Sequence, residues 1–178
     1  MSEPCHLVLI GLMGAGKTSV GRRCADALGR GFVDTDDVIR STSGMTIPEI
    51  FEYGGESGFR LRERTAVAEV VASPDALVIA CGGGAVVDPD NRRALRAVGF
   101  VVWLTADPNE LAARVTADGV GTRPLLGGSP TTATLTRLAD ARHDAYAAAA
   151  HVSVATDGLD LDAVTGAVLA AFEQAVPR

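Results

Sequence analysis

The sequence predicts an α/β fold, a three-layer sandwich built on a five-stranded parallel sheet, and three observations carry that expectation. Short apolar runs alternate with stretches of helical pattern along the chain, the rhythm of a parallel sheet covered on both faces. The first run, Leu7-Val8-Leu9-Ile10, passes directly into the glycine-rich stretch Gly11 to Thr18, as a strand does when it turns into a helix. A length of 178 residues, with 47% hydrophobic and 21% charged side chains, suits one folded domain spanning 1–178.

The strands expected in order are Leu7 to Ile10, Phe32 to Asp34, Leu77 to Ala80, Phe100 to Leu104 and Val152 to Ala155. A helix from Lys17 to Leu28 ends at Gly29, a residue that accepts the left-handed turn of a helix C-terminus. Asp88-Pro89 and Asp107-Pro108 mark two further helix starts, each a capping acid followed by proline in the first turn. Two regions interrupt the alternation. Residues 38–73 read as a helical insertion, with Thr46 as a cap before Pro48 and an apolar face that includes Ile47, Ile50 and Phe51. Residues 118–130, rich in glycine and proline around Arg123, read as a mobile lid loop able to close over phosphates. The alanine run Ala147 to Ala150 suits a helix end.

Composition narrows the function classes. Sixteen basic against twenty-two acidic side chains give a net charge of -6 without long runs of one sign, which argues against a sequence-independent grip on nucleic acid. The apolar run near the start is too short to span a membrane and wrongly flanked for a signal peptide, so a soluble, cytoplasmic protein is expected, monomeric by default. Cys5, Cys24 and Cys81 form no CxxC pair and read as small buried residues. His6, His143 and His151 lack metal-site spacing and read as surface or edge histidines, so any metal should bind oxygen.

One residue stands apart: the chain's only lysine is Lys17, every other basic side chain being arginine. It sits in Gly11-Leu12-Met13-Gly14-Ala15-Gly16-Lys17-Thr18, which fits the phosphate-loop pattern GxxxxGK[ST]. In that pattern glycines let successive N–H groups turn inward around a phosphate at the positive end of a helix. Lys17 adds a compact charge that a guanidinium fork would not reproduce, and Thr18 offers a hydroxyl to Mg²⁺. Gly14, Ala15, Gly16, Lys17, Thr18 and Ser19 are therefore the expected contacts to a nucleotide's phosphates. The competing reading is a glycine-rich turn with a chance lysine.

The third strand ends without an acid, so Asp34, at the end of the second, is the expected metal-side carboxylate, acting through a water. Alternation along an extended segment would put Asp36 on the same side, one acid for metal and one for substrate. Alternatively, both acids cap a helix that starts before Val38.

Together, the phosphate loop, Asp34-Thr35-Asp36, Phe59-Arg60-Leu61-Arg62-Glu63, Gly82-Gly83-Gly84-Ala85-Val86, Arg123-Pro124-Leu125-Leu126 and Arg142 with Tyr146 resemble shikimate kinase in order and approximate spacing, over nearly the whole chain. The resemblance implies a P-loop NTPase fold of the nucleoside-monophosphate-kinase kind, with 38–73 as the substrate-binding insertion. It implies transfer of the γ-phosphoryl group of ATP, with Mg²⁺, to the 3-hydroxyl of shikimate, a step toward chorismate and the aromatic amino acids. In its terms Lys17, Asp36 and Arg123 are catalytic, and Asp36, Arg60, Gly82, Gly83, Gly84 and Arg142 hold shikimate. Arg123 would meet the transferring group. Arginine forks at one end and a carboxylate at the other also make chemical sense for a hydroxylated acid. Read without the motifs, Arg60 and Arg142 could be surface ion pairs.

The chain departs from the family pattern in its second half. Arg142-His143-Asp144-Ala145-Tyr146 lacks the proline-leucine often found before the tyrosine, and Arg114 is the nearest basic residue for stacking on adenine. The turn Thr156-Asp157-Gly158 carries no arginine to face the base. Two other functions stay open on residues alone: a related kinase of another hydroxylated acid such as gluconate, and a non-catalytic nucleotide-binding module. The intact set Asp36, Arg60 and Arg123 weighs against the module, which has no need of a substrate acid.

Overall fold

A computed structural model describes residues 5–117 and 131–176. Five strands, β1 (His6–Ile10), β2 (Gly31–Asp34), β3 (Leu77–Ala80), β4 (Gly99–Thr105) and β5 (Val152–Ala155), form one parallel sheet in the order β2-β3-β1-β4-β5. Each expected strand is present, three of them one or two residues longer than the pattern predicts. The central β1 is buried along its whole length, as expected of a parallel strand covered on both faces.

The helices are α1 (Lys17–Leu28), α2 (Thr35–Ser43), α3 (Ile47–Val71), α4 (Pro89–Val98), α5 (Pro108–Ala117), α6 (Thr132–Ala149) and α7 (Leu161–Ala175). Contacts pair α1 with α7, α3 with α4, and both α4 and α5 with α6. Right-handed crossovers put α1 with α7 on one face of the sheet and α4 with α6 on the other. The main core lies between these layers and is aliphatic, with Leu7, Leu9, Ile79, Val102 and Val168 fully covered.

Caps match the sequence signals. Asp88 accepts a hydrogen bond from the Asp90 amide at the head of α4, and Thr46 forms a reciprocal capping box with Glu49 at the head of α3. The insertion begins earlier than expected: α2 starts at Thr35, and α3 stops at Val71. Inside α3 the backbone breaks at Gly55, whose φ of 61° is left-handed and costs a glycine little. A second small core, Ile39, Ile50, Phe59 and Ala66, holds α2 against α3.

One expectation about side chains fails. His6 is no surface or edge histidine but 1% exposed in the central strand, where its Nδ1 accepts from the Leu77 amide. Burial holds its pKa below the usual imidazole value, so the ring stays a neutral acceptor. Cys24 and Cys81 are buried as expected, and Cys5 is half-buried. Among the described residues no helix is long and apolar enough to cross a membrane.

Candidate active site

Register brings the site together. Leu9 of β1 and Asp34 of β2 both lie level with Ala80 of β3, so the segments leaving these three strands emerge side by side at the carboxyl edge of the sheet. They are the phosphate loop, the Thr35-Asp36 turn and the Gly82–Gly84 segment. A cavity of about 870 Å³ opens there, large enough for a nucleotide and a small acid together. Gly14, Ala15, Gly16, Lys17, Thr18 and Ser19 line one end of it. Asp36, Arg60, Gly82, Gly83, Gly84 and Arg142 also line it, together with Asp34 and Arg114. Arg123 and the expected lid at 118–130 lie outside the described residues.

At the nucleotide end Gly11, Gly14 and Gly16 all take positive φ. Lys17 Nζ donates to the carbonyls of Gly11 and Leu12, 2.9 Å each, which folds the side chain back over its own loop. The Thr18 hydroxyl donates to Asp34 Oδ2 at 2.9 Å, pairing the two oxygens expected on the metal side. Asp34 Oδ1 accepts from the Asp36 amide at 3.0 Å and so caps α2. The capping reading holds for Asp34 alone, and both acids line the cavity. Asp34 is a cap and also faces Thr18. Asp36 shares the cavity with it, but through the first helical turn and not by strand alternation, because β2 stops at Asp34.

At the other end Arg60 Nη1 is 2.7 Å from Glu63 Oε2, and Arg60 Nη2 is 3.2 Å from Glu56. Glu63 is 1% exposed, and its Oε1 has no hydrogen-bond partner among the described residues. Burial pushes its pKa up, Arg60 pulls it down, and the neighbouring Asp36 carboxylate pushes it up further. The glycine segment fits between these charges. A Cβ on Gly82 would stand 2.8 Å from Asp36 Oδ1 and 3.1 Å from Glu63 Oε1, and one on Gly84 would run into the Arg60 guanidinium. Only a bare backbone allows two carboxylates and an arginine to approach so closely.

Several neighbours escaped the sequence reading. Thr35, fully buried, accepts from the Gly82 amide at 2.9 Å through its hydroxyl. Glu63, the last residue of the Phe59-Arg60-Leu61-Arg62-Glu63 motif, was given no role of its own, although it stands three residues beyond Arg60, the spacing of a helical ion pair. On the far side of the phosphate loop, Arg114 donates to Thr156 Oγ1 at 2.8 Å and to Thr156 O at 2.9 Å. The turn has no arginine of its own, and Arg114 from α5 supplies one to it. Leu159, Leu161 and Val164 supply an apolar wall beside it that no motif announced.

The donors suit a hard cation. Thr18 and Asp34 offer oxygen, and no group of three or more His, Cys, Asp or Glu among the described residues could hold a metal unaided. That fits Mg²⁺, which keeps waters and phosphate oxygens in its shell and does not need an all-protein cage.

Comparison with known proteins bears on the same geometry. A family model for shikimate kinase matches residues 13–173. A shikimate kinase of Symbiobacterium thermophilum is 47% identical over 169 residues, covering 95% of this chain and 97% of the relative. A solved structure of shikimate kinase from Acinetobacter baumannii in complex with shikimate superposes with a TM-score of 0.90 at 36% identity, covering 98% of this chain and 96% of that one. A gluconokinase structure from Sinorhizobium meliloti reaches a TM-score of 0.63 at 17% identity, over 98% of this chain and 95% of that one, a likeness of fold alone.

Proposed function

The chain belongs to the shikimate kinase family, and from that premise we propose how its cavity divides the work of passing a phosphoryl group from ATP to shikimate. The enzyme is an ATP-dependent kinase of shikimate, acting on the route to the aromatic amino acids. The observation that carries the residue assignment is the convergence of the phosphate loop, the Asp36 carboxylate and the Arg60 and Arg142 guanidiniums in one cavity.

The phosphate loop and Lys17 bind the outer phosphates of ATP, with the inward N–H groups at the head of α1 matching their charge. Thr18 and Asp34 would hold Mg²⁺, which when bound supplies positive charge to the phosphate oxygens. Arg60 and Arg142 take the carboxylate of shikimate, which fixes the ring relative to Asp36. Asp36 orients the 3-hydroxyl and accepts its proton as the oxygen attacks the γ-phosphorus. Glu63 holds Arg60 in place from behind. Arg114, with the apolar wall of Leu159, Leu161 and Val164, forms the place for the base. Arg123 meets the transferring group, an assignment that rests on the motif resemblance. Phosphoryl transfer needs little covalent chemistry from the protein, so positioning and charge neutralisation suffice.

A coupled assay of ADP release across shikimate, gluconate and nucleoside monophosphates tests this reading. Turnover with shikimate alone is expected. Preference for gluconate, or nucleotide binding without turnover of any acceptor, would overturn it.

A further inference from the structure

Three consecutive glycines at the acid end pose a physical problem, because glycine loses more conformational freedom on ordering than any other residue. Side chains cannot fix this segment by steric contact, so hydrogen bonds must. Gly83 O is the best-held atom of the three residues: Arg142 Nη1 donates to it at 2.9 Å and the Tyr146 hydroxyl at 2.5 Å. A carbonyl oxygen has two lone pairs, and here both are used. Tyr146 follows Arg142 by one helical turn of α6, so both side chains project from the same face onto the same oxygen.

Tyr146 is itself locked. It is 1% exposed, and its ring stacks on Trp103 of β4 with centroids 5.3 Å apart. Burial raises its pKa to about 12, so the phenol keeps its proton and remains a donor at any working pH. Unlike Arg142, Tyr146 does not line the large cavity. Its hydroxyl instead points at the back of the glycine segment.

Resting on the reading of the site as a shikimate kinase, we infer that Tyr146 is a positioning residue for the acid end: it holds Gly83 O, and through that shared oxygen it sets both the glycine backbone and the guanidinium of Arg142 where the substrate carboxylate meets them. Without the hydroxyl, Gly83 O has one donor instead of two, the glycine peptide gains freedom, and Arg142 loses a fixed anchor. Tyr146 and Arg142 both donate to Gly83 O and not to the phosphate loop, which Gly83 adjoins at Gly11 and Met13, so the effect on ATP is expected to be the smaller one.

The test is a double-variant cycle read by calorimetry with shikimate and with ATP. Tyr146→Phe should weaken shikimate binding roughly five- to tenfold, the scale of one hydrogen bond, and leave ATP affinity within a factor of about two. In an Arg142→Ala background the same substitution should cost little more, because the group it positions is already gone. Losses that multiply, equal losses for both ligands, or unchanged shikimate affinity in Tyr146→Phe would each overturn the inference. A second measurement leaves the wild-type fold intact. The chain has two tyrosines, of which Tyr53 is 75% exposed, so 3-fluorotyrosine labelling gives one buried and one exposed fluorine signal. Shikimate should shift the buried signal, and a buried signal indifferent to shikimate would overturn the inference even if Tyr146→Phe fails to fold. Wild-type protein that does not bind shikimate would overturn the underlying reading as well, which separates the two failures.

Discussion

Where it would meet the phosphates the cavity is lined by one unbroken stretch, Met13 to Val20, whereas at its acid end Asp36, Arg60, Gly83 and Arg142 arrive from separate elements. The first end works through backbone, with glycines bending N–H groups inward and one lysine folded over them. The second works through charged side chains packed against a glycine segment. Adding a methyl group should damage the first end, and removing a charge should damage the second.

The largest effect is expected at Asp36. Asp36→Asn keeps the shape and removes the charge that orients the hydroxyl, so turnover should fall by roughly 10² to 10⁴ while ATP affinity holds. Near-normal turnover would leave the acid end without its catalytic carboxylate.

Gly11→Ala probes the other end. Gly11 has a φ of 145°, and a Cβ there would press on the Leu104 carbonyl, so about 2 to 4 kcal/mol of folding stability should be lost together with ATP binding. Denaturant unfolding checks the first loss and calorimetry the second; a stable variant with normal ATP affinity would mean that this end does not depend on its backbone shape.

Arg60→Ala and Arg142→Ala should each weaken shikimate binding by about 1.5 to 3 kcal/mol and change ATP affinity little. Equal losses for both ligands would dissolve the division between the ends.

The smallest effect concerns Glu63 and pH. Its pKa is raised in the folded state, mainly by burial, so the folded protein holds that proton more tightly than the unfolded chain does. This contribution to stability is therefore largest below the ordinary value of 4.5 and falls as pH rises through the raised one. Glu63→Gln should flatten that part of a melting-temperature profile. An unchanged slope would remove Glu63 as its source.

The same contrast explains what was legible in the sequence. A site built from consecutive residues leaves a local pattern, and Lys17, Thr18 and their glycines were readable from spacing alone. A site assembled by strand register leaves none, so Arg60 and Arg142 looked like surface ion pairs until the motifs were taken together. Asp36 was placed correctly for an incorrect local reason, since nothing in Asp34-Thr35-Asp36 says whether the strand or the helix wins the third residue. Leu159 gave no signal and Thr35 only its place between two acids, because neither a buried hydroxyl nor an apolar wall has a pattern of its own. His6 was misread because a ring nitrogen can be satisfied by one strand amide, which composition does not reveal.

Asp34 joins the two ends, and its position has an electrostatic consequence. α1 begins at Lys17 and α2 at Thr35, and the first turns of both converge on this one carboxylate. Two helices thus aim the positive ends of their backbone dipoles at the same small region. A chain of net charge -6 repels a polyanion at long range, yet here fixed peptide dipoles of favourable sign add to the Lys17 and arginine charges that line the cavity. Fixed peptide dipoles at the floor of a cavity are less exposed to screening ions than surface charges are. ATP affinity is therefore expected to fall less with added salt than it would at a site built on surface charges, which calorimetry at two ionic strengths checks.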